Sequence, residues 1–113
     1  MKNYEHFGVM IDMSRNAVMS VDGLLRFLPL LAKMGYNTCM LYTEDTYEVD
    51  GEPTFGYLRG RYSKEELQKI DRAAAALGIE LIPCIQTLAH LNATFRWGNV
   101  PCDTGDILLA DEP

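Results

Sequence analysis

Two adjacent carboxylates, Glu44 and Asp45, follow directly on an apolar run, and the run of "MLYTEDTYEVDGEPTFGYLRGRY" from Met40 to Tyr62 surrounds them with charge and aromatic rings. It holds five acidic residues, two arginines and four tyrosines, with no helical or strand period after Thr43. Such a pair can do chemistry if one member binds a sugar hydroxyl or orients a catalytic group. The plain alternative is two solvated loop charges. In a strand, neighbours would point to opposite faces; in a loop they need not. Tyr42, Tyr47, Phe55 and Tyr57 nearby favour the site reading.

Three more places carry chemical side chains. Asp12 and Arg15 lie just past an earlier apolar run, and Arg15 can offer two parallel hydrogen bonds to a carboxylate or to vicinal hydroxyls. An Asp12–Arg15 ion pair is the alternative. His90, in "QTLAH", can hydrogen-bond a carboxylate and tune its proton affinity, or can simply be a core histidine. Trp97, the single tryptophan, can stack on an apolar sugar face or anchor its loop. Arg59 and Arg61 in "RGRY" are placed to pin the long loop through Glu44, Asp45 or Glu48. Asp111 and Glu112 read as solvated charges, and His6 falls at the opposite end of the sheet from the others.

The elements that would position these residues are legible from periodicity. "FGVMID", "NTCMLY" and "IELIPCI" are short apolar runs with the character of buried strands. Between the first two, Ser20 is an N-cap with Asp22 in the first turn, and Leu24, Leu25, Phe27, Leu28, Leu31 and Ala32 form a helical stripe. Pro29 interrupts that stripe and implies a kink or a late helix start. Gly35 suits the position after the helix. "SKEE" from Ser63 is a capping box, Leu67, Ile70, Ala73, Ala74 and Leu77 give the apolar face, and Gly78 ends the second helix. "DILLA" near the end is a short strand or the approach to another helix.

The order is β-α-β-α-β, an α/β class with parallel strands. Connections after helices are short, and those after strands are long. Long loops at the carboxyl ends of parallel strands hold the sites of open α/β sheets and of (β/α)8 barrels alike. No GxGxxG or Walker sequence occurs, which counts against a nucleotide fold. A whole barrel needs about 250 residues, so 113 residues of barrel sequence are its first portion.

Composition excludes some functions. The net charge of −6 argues against a nucleic-acid partner, and the apolar runs are too short to span a membrane. The first ten residues lack a signal-peptide layout, so either a cytoplasmic location or a start inside a longer chain is expected. Cys39, Cys84 and Cys102 are odd in number and widely spaced, without CxxC, so neither a disulfide framework nor a zinc site is expected. Cys39 and Cys84 read as small buried hydrophobes.

The blocks "FGVMIDMSRNAV", "GYNTCMLYTEDTYE", "FGYLRGRYSKEEL" and "GIELIPCIQTLAHL", in this order, resemble a bacterial glycoside hydrolase family 20 catalytic domain. The likeness is to the exo-β-N-acetylhexosaminidase branch with "LYTEDTYE" after the second strand, and it runs from Phe7 to the end. The resemblance implies residues 1–113 as the N-terminal part of one incomplete (β/α)8 barrel. It implies substrate-assisted retaining hydrolysis of terminal β-linked GlcNAc or GalNAc glycans, with no cofactor. There the substrate's 2-acetamido oxygen attacks C1, an exception to the two-carboxylate scheme. By resemblance, Glu44 and Asp45 match the acidic pair after the second strand and His90 the histidine after the third, positions that support the acid/base glutamate, with Asp45 and His90 taken in that role; Arg15, Tyr42, Glu44 and Trp97 are the residues expected to bind substrate. Many relatives carry an arginine before the first-strand glycine, where this chain has Phe7. The family's Asp-Glu catalytic pair belongs after a fourth strand, beyond what this sequence supplies. Open sheet edges then imply self-association.

Overall fold

The computed structural model describes residues 4–15 and 17–87. Three strands and two helices alternate: β1 (Gly8–Asp12), α1 (Val21–Lys33), β2 (Thr38–Tyr42), α2 (Lys64–Ala76) and β3 (Glu80–Cys84). The sheet is parallel throughout, in the order β1-β2-β3.

Local chemistry sets the helix ends. The Ser20 hydroxyl accepts from the Gly23 N–H at 3.1 Å and opens α1, with Asp22 in its first turn. Ser63 and Glu66 complete the expected capping box: each side chain takes the other's backbone N–H, at 3.2 and 2.8 Å. α1 contains Pro29 but begins where Ser20 caps it, so a late start is not how the proline is accommodated.

The two faces of the sheet differ. Val9, Ile11, Cys39, Leu41 and Leu81 alternate onto the face that packs against the helices, in the core with Leu24, Leu28, Leu31, Ile70 and Ala74. Each fully buried leucine there contributes about 1.5–3 kcal/mol of transfer free energy. Burial also raises the Cys39 thiol pKa. On the opposite face Met10, Met40 and Ile82 stand in one row by register, and Met10 is largely exposed. Cys84 belongs to this second face and is only half-buried, unlike the buried position expected for it. At Gly8 a Cβ would sit 2.3 Å from the Thr38 carbonyl oxygen, so β1 can lie against β2 there only with glycine. Among the described residues, no helix is long and apolar enough to cross a membrane.

Candidate functional site

The 43–62 loop is built rather than loose. Tyr47 and Tyr62 pair in a parallel bridge: the Glu48 N–H donates to the Tyr62 carbonyl at 2.9 Å and the Tyr62 N–H to the Thr46 carbonyl at 3.0 Å. The Tyr62 hydroxyl donates to the Met19 carbonyl, and burial, with Glu66 adding, pushes its pKa up to about 12. Tyr47 and Phe55 pack edge to face at 5.0 Å. Arg61 donates to the Pro53 and Phe55 carbonyls at 2.9 and 2.6 Å and lies 3.9 Å from Glu48. Gly56 sits against the Asp45 carbonyl oxygen, 2.1 Å from where a Cβ would stand, with φ at +68°. Only glycine fits both conditions.

This scaffold delivers Arg59 to the carboxyl ends of β1 and β2. Its Nε donates to Asp45 Oδ1 at 3.1 Å, Nη2 lies 3.7 Å from Glu44 Oε2, and Nη2 also donates to the Ser14 carbonyl. Asp45 is 1% exposed and Glu44 8%. Carboxylates this buried need partners, and one guanidinium serves both. Consecutive residues converge on it because Glu44 itself takes a left-handed backbone, φ 48°. The pinning expected of Arg59 and Arg61 is thus present, with Arg59 on the acidic pair and Arg61 on the loop.

A second set of contacts surrounds Glu44. Arg15 Nη1 stands 3.9 Å from Glu44 Oε1, and its Nε 4.0 Å from Asp12. The Tyr42 hydroxyl donates to Glu44 Oε1 at a long 3.5 Å and accepts from Gln86 Nε2. Asp12 Oδ1 accepts from the Ser14 hydroxyl at 2.6 Å and the Ser14 N–H at 2.8 Å. Those two bonds hold the Asp12 carboxyl below its ordinary value; burial opposes them and Arg15 assists. A pocket of about 340 Å³ opens between Arg15, Val18, Leu58, Arg59 and Gly60.

Arg15, Tyr42, Glu44 and Asp45 are therefore brought together. His90 and Trp97 lie outside the described residues, as do Cys102, Asp111, Glu112 and the "DILLA" run. Phe7 stacks on Tyr36 at 4.6 Å at the amino end of β1, and His6 is 3.9 Å from Glu80 at that same end. Sequence reasoning passed over Ser14 and Gln86. Both carried a signal: the Asp12-x-Ser14 spacing of an Asx turn, and the period of two that places Gln86 on the face of Cys84, register partner of Tyr42.

No family profile and no curated protein sequence matches the chain. Solved structures do. The Flavobacterium johnsoniae chitobiase FjGH20 matches over 82% of this chain at 27% identity, TM-score 0.74. A structure of the tandem family-20 catalytic modules of the pneumococcal exo-β-D-N-acetylglucosaminidase StrH matches over 82% at 16% identity, TM-score 0.63. A further structure of StrH, described for N-glycan recognition and hydrolysis, covers 80% at 16% identity, TM-score 0.61. The two at 16% speak for the fold alone. The chain spans 15% of the chitobiase chain and 30% and 28% of the two StrH chains. The β-α-β-α-β unit with its parallel sheet is that of part of a (β/α)8 barrel. In its sequence blocks and in its fold, the chain resembles part of a glycoside hydrolase family 20 catalytic domain.

Proposed function

We propose that this chain is the N-terminal part of a glycoside hydrolase that removes terminal β-linked N-acetylhexosamine by substrate-assisted retaining hydrolysis. The observation that carries the reading is the Arg15–Glu44–Tyr42 cluster at the carboxyl ends of parallel strands, in a fold that matches a chitobiase. An exposed guanidinium 3.9 Å from a buried carboxylate suits a hydroxyl, which accepts from one and donates to the other. Two neighbouring hydroxyls on a sugar ring would use both groups at once. Phe7 stands at the amino end of β1, away from this cluster, so the gripping of sugar hydroxyls falls to Arg15 and Glu44 at the carboxyl end. Asp45, buried behind Glu44, supports the acid/base machinery rather than touching substrate.

The acid/base pair is assigned to sequence outside this chain, so the 113 residues alone should not turn over an aryl N-acetyl-β-hexosaminide. The test compares the purified chain with the product of the reading frame continued past Pro113. Turnover by the longer product alone agrees with the proposal. Turnover by the chain alone, or by neither, defeats it.

A second reading is favoured by the apolar row of Met10, Met40 and Ile82, exposed at Met10 and half-buried at the other two among the described residues: a non-catalytic carbohydrate-binding or assembly half-barrel that dimerises through that face. Sedimentation separates the two. A defined dimer that binds sugar without turnover, with a stop codon after Pro113, establishes the second.

A further inference from the structure

Among the described residues, only Glu44 (φ 48°) and Leu58 (φ 59°) are non-glycine residues with positive φ. A left-handed backbone is uncommon for any residue with a Cβ and least expected for a bulky one, so each is a place where the surroundings impose a conformation. Leu58 gains no burial in exchange: it is 81% exposed. It immediately precedes Arg59, and Gly60 on the other side is also left-handed, φ 69°. The two strained residues therefore sit at the two ends of one contact, the Arg59–Glu44 pair.

That contact ties together the ends of β1 and β2. Two distinct segments meet in it: the Ser14 carbonyl comes from the segment after β1, whereas Glu44, Asp45 and Arg59 all belong to the 43–62 loop after β2, which closes on itself here. Arg59 is 19% exposed against 69% for Arg15. The two arginines approach Glu44 through different oxygens, Arg59 at Oε2 and Arg15 at Oε1. One oxygen is thus held from the buried side, leaving the other to the exposed side, where Tyr42 also reaches.

We infer that Arg59 is a positioning residue: it fixes the Glu44 carboxylate so that Oε1, with Arg15, faces an incoming sugar hydroxyl. The inference rests on the sugar-site reading above and names a residue that acts through Glu44 rather than on the sugar. A lysine would keep the charge but lose the fork that spans Asp45, Glu44 and Ser14 together.

The test is titration of the full chain with methyl 2-acetamido-2-deoxy-β-D-glucoside, followed by NMR, in the wild type and in Arg59→Lys, Arg26→Ala, Glu44→Gln and Glu44→Gln/Arg59→Lys. Arg59→Lys should weaken binding about tenfold, the scale of a lost charge-assisted hydrogen bond, while Arg26→Ala, on the exposed side of α1, leaves it unchanged. In the Glu44→Gln background, Arg59→Lys should have no further effect, because the residue it positions is already altered. Wild-type affinity in Arg59→Lys overturns the inference and leaves the sugar-site reading standing. So do losses that simply add in the double variant, which mark Arg59 as structural only. Absence of sugar binding by the wild type overturns the sugar-site reading, and this inference with it.

Discussion

At the amino end of the sheet, Asn37 accepts from the Phe7 N–H at 2.8 Å and donates to the Glu5 carbonyl at 2.7 Å. At the carboxyl end, Arg59, Glu44 and Asp45 bind one another. The polar side chain at the first end completes the backbone and stays near water. Those at the second end are withdrawn from water and depend on each other. The turns differ likewise: Gly35 and Gly78 end their helices in open space, whereas Gly56 is pressed against the Asp45 carbonyl. A barrel segregates stability and chemistry between its ends, and the described residues divide their solvated and their mutually dependent polar groups between the same two ends.

The contrast breaks most sharply at Arg59. Arg59→Ala leaves two buried carboxylates without their common cation, and breaking a buried pair by removing one partner costs about 3–5 kcal/mol. Urea denaturation should show a loss of that order. A loss below about 1 kcal/mol, the range of exposed pairs, would remove the distinction between the two ends.

The glycines sharpen it at intermediate size. Gly35→Ala meets nothing within 4 Å and should cost about 1 kcal/mol for its left-handed backbone alone. Gly56→Ala adds a collision with backbone and should cost at least about 2 kcal/mol more than Gly35→Ala. Equal shifts in thermal midpoint would mean that the 43–62 loop yields more easily than its contacts imply.

The smallest effect is a pH dependence at the carboxyl end. The Asp12 carboxyl is held below its ordinary value of 3.8, first by the Ser14 hydroxyl and then by the Ser14 N–H. A depressed carboxylate contributes stability above its unfolded value and loses it as pH falls through the folded one. Ser14→Ala should therefore flatten the fall in stability on acidification below pH 3.8, seen in denaturation midpoints compared with wild type. An unchanged acid limb would show that the bond carries no differential proton affinity.

What could be read in the sequence divides along the same line. Strands, helix stripes, the Ser20 cap and the Ser63–Glu66 box depend on neighbours within a few residues, so the local pattern contains them. Even the assignment of Arg59 and Arg61 to the acidic loop followed from charge and position. The choice of partner did not. Which arginine reaches Asp45 depends on left-handed backbone at Glu44, Leu58 and Gly60, and neither a glutamate nor a leucine advertises that conformation. Gln86 was obscured by His90 beside it in "QTLAH", since a histidine suggests chemistry and a glutamine does not. Pro29 left two alternatives, a kink or a late start, and the cap at Ser20 rules out the late start.

Pro83 has a consequence for what can join the sheet. Glu80 donates to the Asn37 carbonyl and Cys84 accepts from the Thr43 N–H, so alternate residues of β3 turn toward β2 and Leu81 and Pro83 turn outward. The missing proline N–H thus falls on the outer edge and leaves the β2 pairing whole. Along β3, that edge offers carbonyls at both outward positions but a single N–H, at Leu81. Among the described residues this is the outer edge of the sheet, and any strand laid against it meets a template that is one N–H short.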